Sequence, residues 1–289
     1  MRAVRRAFPL LLVFLAACGG GDETVAPMVT PTVTLSRQTA PIGSPVDMTY
    51  RFVVADGASF GENYRVFVHF LDADREVMWT DDHDPPVPTT DWRGGQTVEY
   101  TRTLFIPKFP YIGEATVQVG LHSPETGERI VMDAPTRGLR EYDVATFNMV
   151  TQSENLVVVF RDGWQPVEVA AEGTGTEWQW AMKAGVLAFR NPKRAATLYL
   201  ELDQPVAAIG AQQVEVRIGD QVLDSFEVAP GPRVLRRIAL TPEQLGDVDA
   251  AEVTVSVART FIPADMPELN SSDRRELGVR VFKAYVEPT

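Results

Sequence analysis

The chain has 289 residues, with 39 acidic against 27 basic side chains and a formal net charge of −12 at neutral pH. That balance repels polyanions and excludes nucleic acid as a direct partner. A single cysteine, Cys18, excludes a disulfide framework and any multi-cysteine metal centre.

The N-terminus reads Met1-Arg2-Ala3-Val4-Arg5-Arg6, then an apolar run from Ala7 to Ala17, then Cys18-Gly19-Gly20-Gly21-Asp22-Glu23. The run is shorter than the roughly 20 residues that cross a bilayer, and it suits the hydrophobic region of a signal peptide. Leu15-Ala16-Ala17-Cys18 resembles the lipobox of bacterial lipoproteins, in which small residues precede the cut and the thiol takes the lipid. The resemblance implies that residues 1–17 are a lipoprotein signal peptide and that Cys18 becomes the lipidated N-terminus. It places the protein in the cell envelope, held by acyl chains at roughly 0.8 kcal/mol per buried CH₂. With Gly19 after the cysteine, the outer membrane is the expected destination if the host has two membranes, on its periplasmic face or its surface. Loss of Arg2, Arg5 and Arg6 leaves 24 basic against 39 acidic residues, a net of −15. Residues 18–31 lack apolar periodicity and are expected to form a flexible tether, at most about 40 Å long.

From there on, period-two alternation dominates and helical periodicity is almost absent. Tyr64 to Asp72 reads as an apolar strand. Val117, Val119 and Leu121 alternate with Thr116, Gln118 and His122. Leu198, Leu200 and Leu202 flank Tyr199 and Glu201. Val214, Val216 and Ile218 alternate with Gln213, Glu215 and Arg217, as Val253, Val255 and Val257 do with Glu252, Thr254 and Ser256. Each pattern predicts a strand with one face on a core and one in water. Turn signals stand between them, among them Asp56-Gly57, Gly94-Gly95, Glu125-Thr126-Gly127 and Gly219-Asp220. The best helix candidate is a turn or two at Thr241-Pro242-Glu243-Gln244, with a threonine N-cap, a proline at the first position and a glutamine to close a capping box. A last strand is expected from Val279 to Val286. Many short strands with 21 glycines and 21 prolines predict an all-β chain of two antiparallel β-sandwich domains, Ig-like or jelly-roll-like. The polar passage Thr151-Gln152-Ser153-Glu154-Asn155 places the boundary, giving a first sandwich over residues 32–150 and a second over 151–289.

Tyr64-Arg65-Val66-Phe67-Val68-His69-Phe70-Leu71-Asp72 leads to the acidic Thr80-Asp81-Asp82-His83-Asp84-Pro85-Pro86, then Pro88-Thr89-Thr90-Asp91-Trp92. The hairpin Gly120-Leu121-His122-Ser123-Pro124-Glu125-Thr126-Gly127-Glu128-Arg129 follows. This order resembles the soluble β-sandwich modules attached to bacterial membrane glycosyltransferases of the dolichyl-phosphate-mannose type, over roughly residues 45 to 145. The second half resembles them more loosely, through Gly163-Trp164 and Trp178-Gln179-Trp180. The multi-span catalytic part of those enzymes is missing, so the resemblance implies a fold and an envelope setting and transfers no activity. The chain as a whole is also similar to uncharacterised bacterial envelope proteins.

Asp81, Asp82 and Asp84, with Asp72 and Asp74 across a hairpin, are the densest ligand-capable cluster. Carboxylates suit Ca²⁺, which takes six to eight oxygens, whereas a solvated loop whose aspartates cap turns is the plainer alternative. Trp79 and Trp92 flank this loop, and flat aromatic faces beside carboxylates suit sugars. Trp79, Asp82, His83 and Trp92 are therefore the candidate ligand-binding residues. Trp178 and Trp180, about 7 Å apart on one face of a strand, with Trp164 and Tyr199 nearby, form a second aromatic set. Core packing is the common fate of such residues.

Catalysis has little to draw on. His69 lies in an apolar strand and is expected to be a hydrogen-bonded core or edge residue. His122 closes a strand, no serine stands in a nucleophile-elbow context, and Gly173-Thr174-Gly175-Thr176 lacks the lysine of a phosphate loop. Phe261-Ile262-Pro263 is expected to plug a sandwich end. The charges of Ser272-Asp273-Arg274-Arg275-Glu276 are expected to pair locally. The expectation is a non-enzymatic protein without cofactor, bound to the membrane through Cys18, that binds carbohydrate or envelope polysaccharide. The alternative is a structural or assembly lipoprotein that docks on another envelope protein.

Overall fold

The structure is a computed structural model and describes residues 25–107, 111–152, 156–171 and 176–289. The expected signal peptide, Cys18 and the first part of the tether lie outside the described residues, as do residues 153–155 of the boundary passage and residues 173–175 of the glycine–threonine loop.

The chain is all-β, its strands assembled into antiparallel sheets packed as β-sandwiches. In chain order the first eight strands are β1 (Val29–Leu35), β2 (Thr39–Pro41), β3 (Pro45–Val54), β4 (Arg65–Leu71), β5 (Val77–Thr80), β6 (Thr97–Phe105), β7 (Gly113–His122) and β8 (Tyr142–Val150). They form a three-stranded sheet, β1-β3-β6, and a five-stranded sheet, β2-β8-β7-β4-β5, in which the β2–β8 pair is parallel. Their inner faces meet in one core that contains Tyr50, Phe52, Val66, Val68, Phe70, Trp92, Val117, Val119 and Leu121.

β1 begins at Val29, inside the stretch expected to be tether. Val29, Pro31 and Val33 turn inward while Thr30, Thr32 and Thr34 face water, a two-residue alternation hidden by prolines and threonines that read as linker. Pro31 is tolerated because β1 is an edge strand with a row of amides that need no partner.

The remaining strands are β9 (Val159–Phe160), β10 (Glu168–Val169), β11 (Glu177–Trp180), β12 (Ala184–Arg190), β13 (Ala196–Asp203), β14 (Gln212–Ile218), β15 (Gln221–Val228), β16 (Val234–Leu240), β17 (Ala250–Val257) and β18 (Arg280–Pro288). Sheets β10-β11-β18-β13-β16 and β15-β14-β17-β12-β9 enclose a separate core. Leu198, Leu200, Leu202, Val214, Val216, Val253 and Val255 are all fully buried there. Helix α1 (Pro242–Leu245) carries the expected capping box, with the Gln244 amide donating to Thr241 Oγ1 and the Thr241 amide donating to Gln244 Oε1. A third apolar cluster packs Phe261 and Leu277 on Trp180, on the face of β11 away from the second core. Polar and aromatic contacts join the two halves: Arg37 pairs with Glu287 at 2.5 Å, Arg237 with Asp47, and Phe105 meets the edge of Tyr199.

The outer face of the five-stranded sheet is also covered. Along β4, Val66, Val68 and Phe70 point into the core, so Phe67, His69 and Leu71 point out. Phe67 lies opposite Gly120 of β7 and is only 2 % exposed. A Cβ on Gly120 would stand 2.1 Å from Phe67 Cζ and 3.0 Å from the Arg140 carbonyl oxygen. The missing side chain is therefore what lets the ring lie flat on the sheet, with the Arg129 guanidinium 4.6 Å above it. Gly120→Ala is expected to lower unfolding stability by about 1–3 kcal/mol through overpacking, measured by chemical denaturation. Gly127→Ala, where the added atom meets nothing within 4 Å, separates this steric effect from backbone strain, because Gly127 has a positive φ and Gly120 does not.

Candidate functional site

The acidic loop is an extended strand-like segment, not a ligand cage. Backbone bonds in both directions between Val66 and His83 continue the pairing of β4 with β5 beyond Thr80. In such a segment successive side chains leave on opposite sides, and the aspartates find separate partners. Asp81 is gripped by Arg102 through two hydrogen bonds of 3.0 Å. Asp82 Oδ1 accepts from the Val68 amide at 3.0 Å, and Asp84 pairs with Arg65. Across the hairpin, Asp72 Oδ1 caps the turn by accepting from the amides of Asp74 and Glu76. The weak calcium candidate of Asp81, Asp82 and Asp84 is thus corrected: the three carboxylates do not converge. Among the described residues no group of three or more His, Cys, Asp and Glu side chains is placed to hold a metal.

His83 is buried at the rim of the first sandwich. Its Nδ1 lies 2.8 Å from the Asp81 carbonyl oxygen and its Nε2 lies 2.8 Å from the Tyr100 hydroxyl. The ring stands edge-on to Tyr50, which stacks on Tyr100. Burial lowers the His83 pKa, against the raising effect of the Asp81 carbonyl, and Arg102 lowers it further. Burial likewise pushes the hydroxyls of Tyr50 and Tyr100 far above the ordinary tyrosine range. The hydrogen bond between His83 and Tyr100 and the ring contacts with Tyr50 tie β3 and β6 to the acidic segment.

The candidate binding residues Trp79 and Trp92 are likewise taken up by the fold, and the second aromatic set packs as expected. Trp92 is 1 % exposed, packed against Phe52 and Phe60, with Nε1 donating to the Val87 carbonyl at 2.9 Å. Trp79 is half-buried and stacks on Phe70 with centroids 4.4 Å apart. Trp164 donates to the Val186 carbonyl and abuts Phe160. Trp178 and Trp180 flank the Arg280 guanidinium, and Trp180 also meets the edge of Phe261. Trp92 and Trp180 are buried, and Trp79, Trp164 and Trp178 are half-buried.

The structure instead opens a groove of about 290 Å³ on the outer face of the first five-stranded sheet. Register builds its floor: His69 of β4 stands between Gln118 of β7 and Thr80 of β5, and Leu71 stands between Thr116 and Val77. The wall is the segment that returns from the β7 hairpin to β8, contributing Arg137, Gly138, Leu139 and Glu141. Arg129 holds this wall from below, donating to the Leu139 carbonyl at 2.8 Å and to Glu141 at 2.7 Å. Arg75 closes the far end with two bonds to Asp143, which also accepts from Gln118 Nε2 at 2.8 Å. Burial alone would raise the Asp143 pKa, but the bonds from Arg75 and Gln118 hold it below the usual carboxylate range.

Two side chains of this groove are only partly engaged by the rest of the protein. The ring nitrogens of His69 have no hydrogen-bond partner among the described residues; the ring only leans on Phe67 at 5.0 Å. Leu139 is 80 % exposed and, like Arg140 after it, sits in the left-handed backbone region at φ +55°. That conformation is costly for a residue other than glycine, asparagine or aspartate. Here it holds an apolar side chain out over polar groups. His69, expected as a hydrogen-bonded core or edge residue, is a groove-lining one. Arg75, Gln118, Arg137, Leu139 and Glu141 carried no sequence signal that pointed to a site.

No protein-family model matches the sequence, and comparison with curated proteins finds no match. Similar solved structures include a Pseudomonas fluorescens alkylpurine DNA glycosylase bound to DNA containing an abasic site analog. That match has 12 % identity and a TM-score of 0.28 over 43 % of this chain and 30 % of that one. A 4-O-methyl-α-glucuronidase with specificity for decorated arabinogalactans matches at 13 % identity and a TM-score of 0.32, over 53 % and 20 % of the two chains. The C-terminal carbohydrate-binding module of a laminarinase from Zobellia galactanivorans matches at 12 % identity and a TM-score of 0.23, over 45 % of this chain and 100 % of that one. Likenesses at this level carry no argument about what this chain binds.

Trp92→Ala is expected to cost about 3–5 kcal/mol of stability, as for other buried tryptophans. A denaturant midpoint equal to the parent's would show that the ring is not part of the core. For His83, the unfolded chain takes up a proton at the ordinary histidine value while the folded protein resists it. Stability is therefore retained above that value and lost as pH falls through the lowered folded pKa. His83→Gln keeps a donor and an acceptor at the site. It is expected to flatten the fall in denaturant midpoint between about pH 7 and pH 5, leaving the share of His122, whose pKa burial also lowers.

Proposed function

We propose that the chain is a non-catalytic lipoprotein, anchored in the cell envelope through Cys18, that binds carbohydrate in the groove on the outer face of the first five-stranded sheet. The observation that carries this reading is His69, an imidazole without a hydrogen-bond partner among the described residues, in a groove it lines together with Gln118, Glu141, Arg137 and the exposed side chains of Val77 and Leu139. Sugars are amphiphilic rings with hydroxyls around the rim and C–H groups on the faces. A site for one pairs a few polar groups that fix orientation with apolar surface. At about 290 Å³ the groove suits a single sugar ring and leaves both neighbours of a chain in solvent.

The carboxylates favour binding over hydrolysis. A glycosidase needs one carboxylic acid with a raised pKa facing a second carboxylate. Asp143 is held ionised by Arg75 and Gln118, and Glu141 is bonded to Arg129. Asp143 is therefore not poised to deliver a proton, and Glu141 is engaged by Arg129.

The reading is tested with residues 25–289, which carry every described strand, on a panel of immobilised envelope and plant polysaccharides, followed by calorimetry on hits. Saturable binding is expected, weakened about ten-fold or more by His69→Ala and by Leu139→Ser, with the thermal melt of each variant unchanged. Binding that survives both changes would place the site elsewhere. A folded protein that binds no glycan would favour the alternative, an assembly lipoprotein docked on another envelope protein.

A further inference from the structure

We infer that the sugar this groove takes is an anionic one, a residue bearing a carboxylate, sulfate or phosphate group, and that Arg137 is the side chain that meets the charge. The inference rests on the carbohydrate reading of the groove and adds the class of ligand.

Most arginines around the groove have partners of their own. Arg75 and Asp143 form a two-bond pair, with Nη1 to Oδ2 at 2.9 Å and Nη2 to Oδ1 at 2.8 Å. Arg129 is bonded to Glu141 and to the Leu139 carbonyl. Arg140 donates to the Arg129 carbonyl and lies 3.8 Å from Glu128. Arg137 is different. Its one ion-pair contact among the described residues is to Asp143 Oδ2 at 4.0 Å, and that oxygen already accepts from Arg75. Its side chain is 76 % exposed. Asp143 also accepts from Gln118, so this carboxylate has little left to give a second arginine.

A cation left over at the lip of a groove would be unremarkable on a basic protein. This chain carries 39 acidic and 27 basic side chains, so its overall field turns anions away and a local surplus of positive charge is needed to admit one. The planar guanidinium fork suits carboxylate, sulfate and phosphate oxygens alike, through paired parallel bonds. Because Arg137 and His69 line the same groove, one sugar ring can place its anionic group on Arg137 and a hydroxyl against the imidazole. Glu141 is bonded to Arg129 and remains able to accept from a second hydroxyl. Leu139 and Val77 lie over the ring's C–H face.

The test is calorimetric titration of residues 25–289 with three matched oligosaccharide sets: neutral, uronate-containing, and sulfated or phosphorylated. An anionic set is expected to bind about ten-fold or more tightly than its neutral counterpart. Arg137→Ala should remove most of that preference, and Arg137→Lys should restore part of it. Raising salt should weaken the anionic sets alone. The relative affinity of uronate and sulfate or phosphate sets identifies which anion is meant. Equal affinity for neutral and anionic sets, unmoved by Arg137→Ala, overturns the charge inference and leaves the groove reading standing. Anionic binding that persists in Arg137→Ala and in His69→Ala overturns the assignment of the charge to this groove. No binding by any set, from a protein whose melt shows it folded, overturns both.

Discussion

In the first sandwich one pairing governs what the molecule shows to solvent, the antiparallel register of β4 on β7. It sets Val66, Val68 and Phe70 of β4 into the core beside Val117, Val119 and Leu121, and by alternation turns Phe67, His69 and Leu71 outward. A shift of one residue would exchange the two sets completely. On the outer face, Phe67 opposite Gly120 creates a flat apolar base on which Arg129 rests. Arg129 in turn holds the Leu139–Glu141 wall. The groove is therefore a consequence of register, a glycine and one arginine, linked in sequence.

The same alternation dissolves the acidic loop as a site. Three aspartates within four positions look like a concentration of charge, yet an extended backbone sends neighbours to opposite sides. Arg102, Arg65 and the Val68 amide collect them separately. Each bond answers a local demand of folding: Arg102 would otherwise be a half-buried cation, and the Val68 amide an unpaired donor. The loop's chemistry is consumed in closing the rim of the sandwich. In the proposed groove, His69, Arg137 and Leu139 keep most of their capacity for a ligand.

The aromatic residues follow a related economy. Trp92, Trp164 and Trp178 each direct an indole N–H to an oxygen of the protein, and their rings fill space between sheets or beneath loops. Large rings are where a sandwich finds most of its apolar burial. The groove accordingly presents aliphatic rather than aromatic surface. Its apolar part is small, and in the proposed reading the polar groups and Arg137 supply the discrimination.

The sequence by itself determined that the chain is all-β, because period-two alternation is a property of residues taken a few at a time. It also determined the capping box at Thr241–Gln244 and the inward faces of β7, β13, β14 and β17, for the same local reason. It misplaced the start of β1, whose Val29-Thr30-Pro31-Thr32-Val33 alternation is diluted by a proline that only an edge strand admits. Only the tertiary structure decided that Trp92 and His83 are interior, that the aspartates of the acidic loop diverge, and that His69 has no hydrogen-bond partner among the described residues. Those outcomes depend on what lies across a strand pair or over a sheet, at separations such as Gln118 to Asp143 or Asp81 to Arg102. Pairing between distant segments leaves no periodic trace in the chain, so a site made of unsatisfied groups becomes visible only after every other group has found its partner.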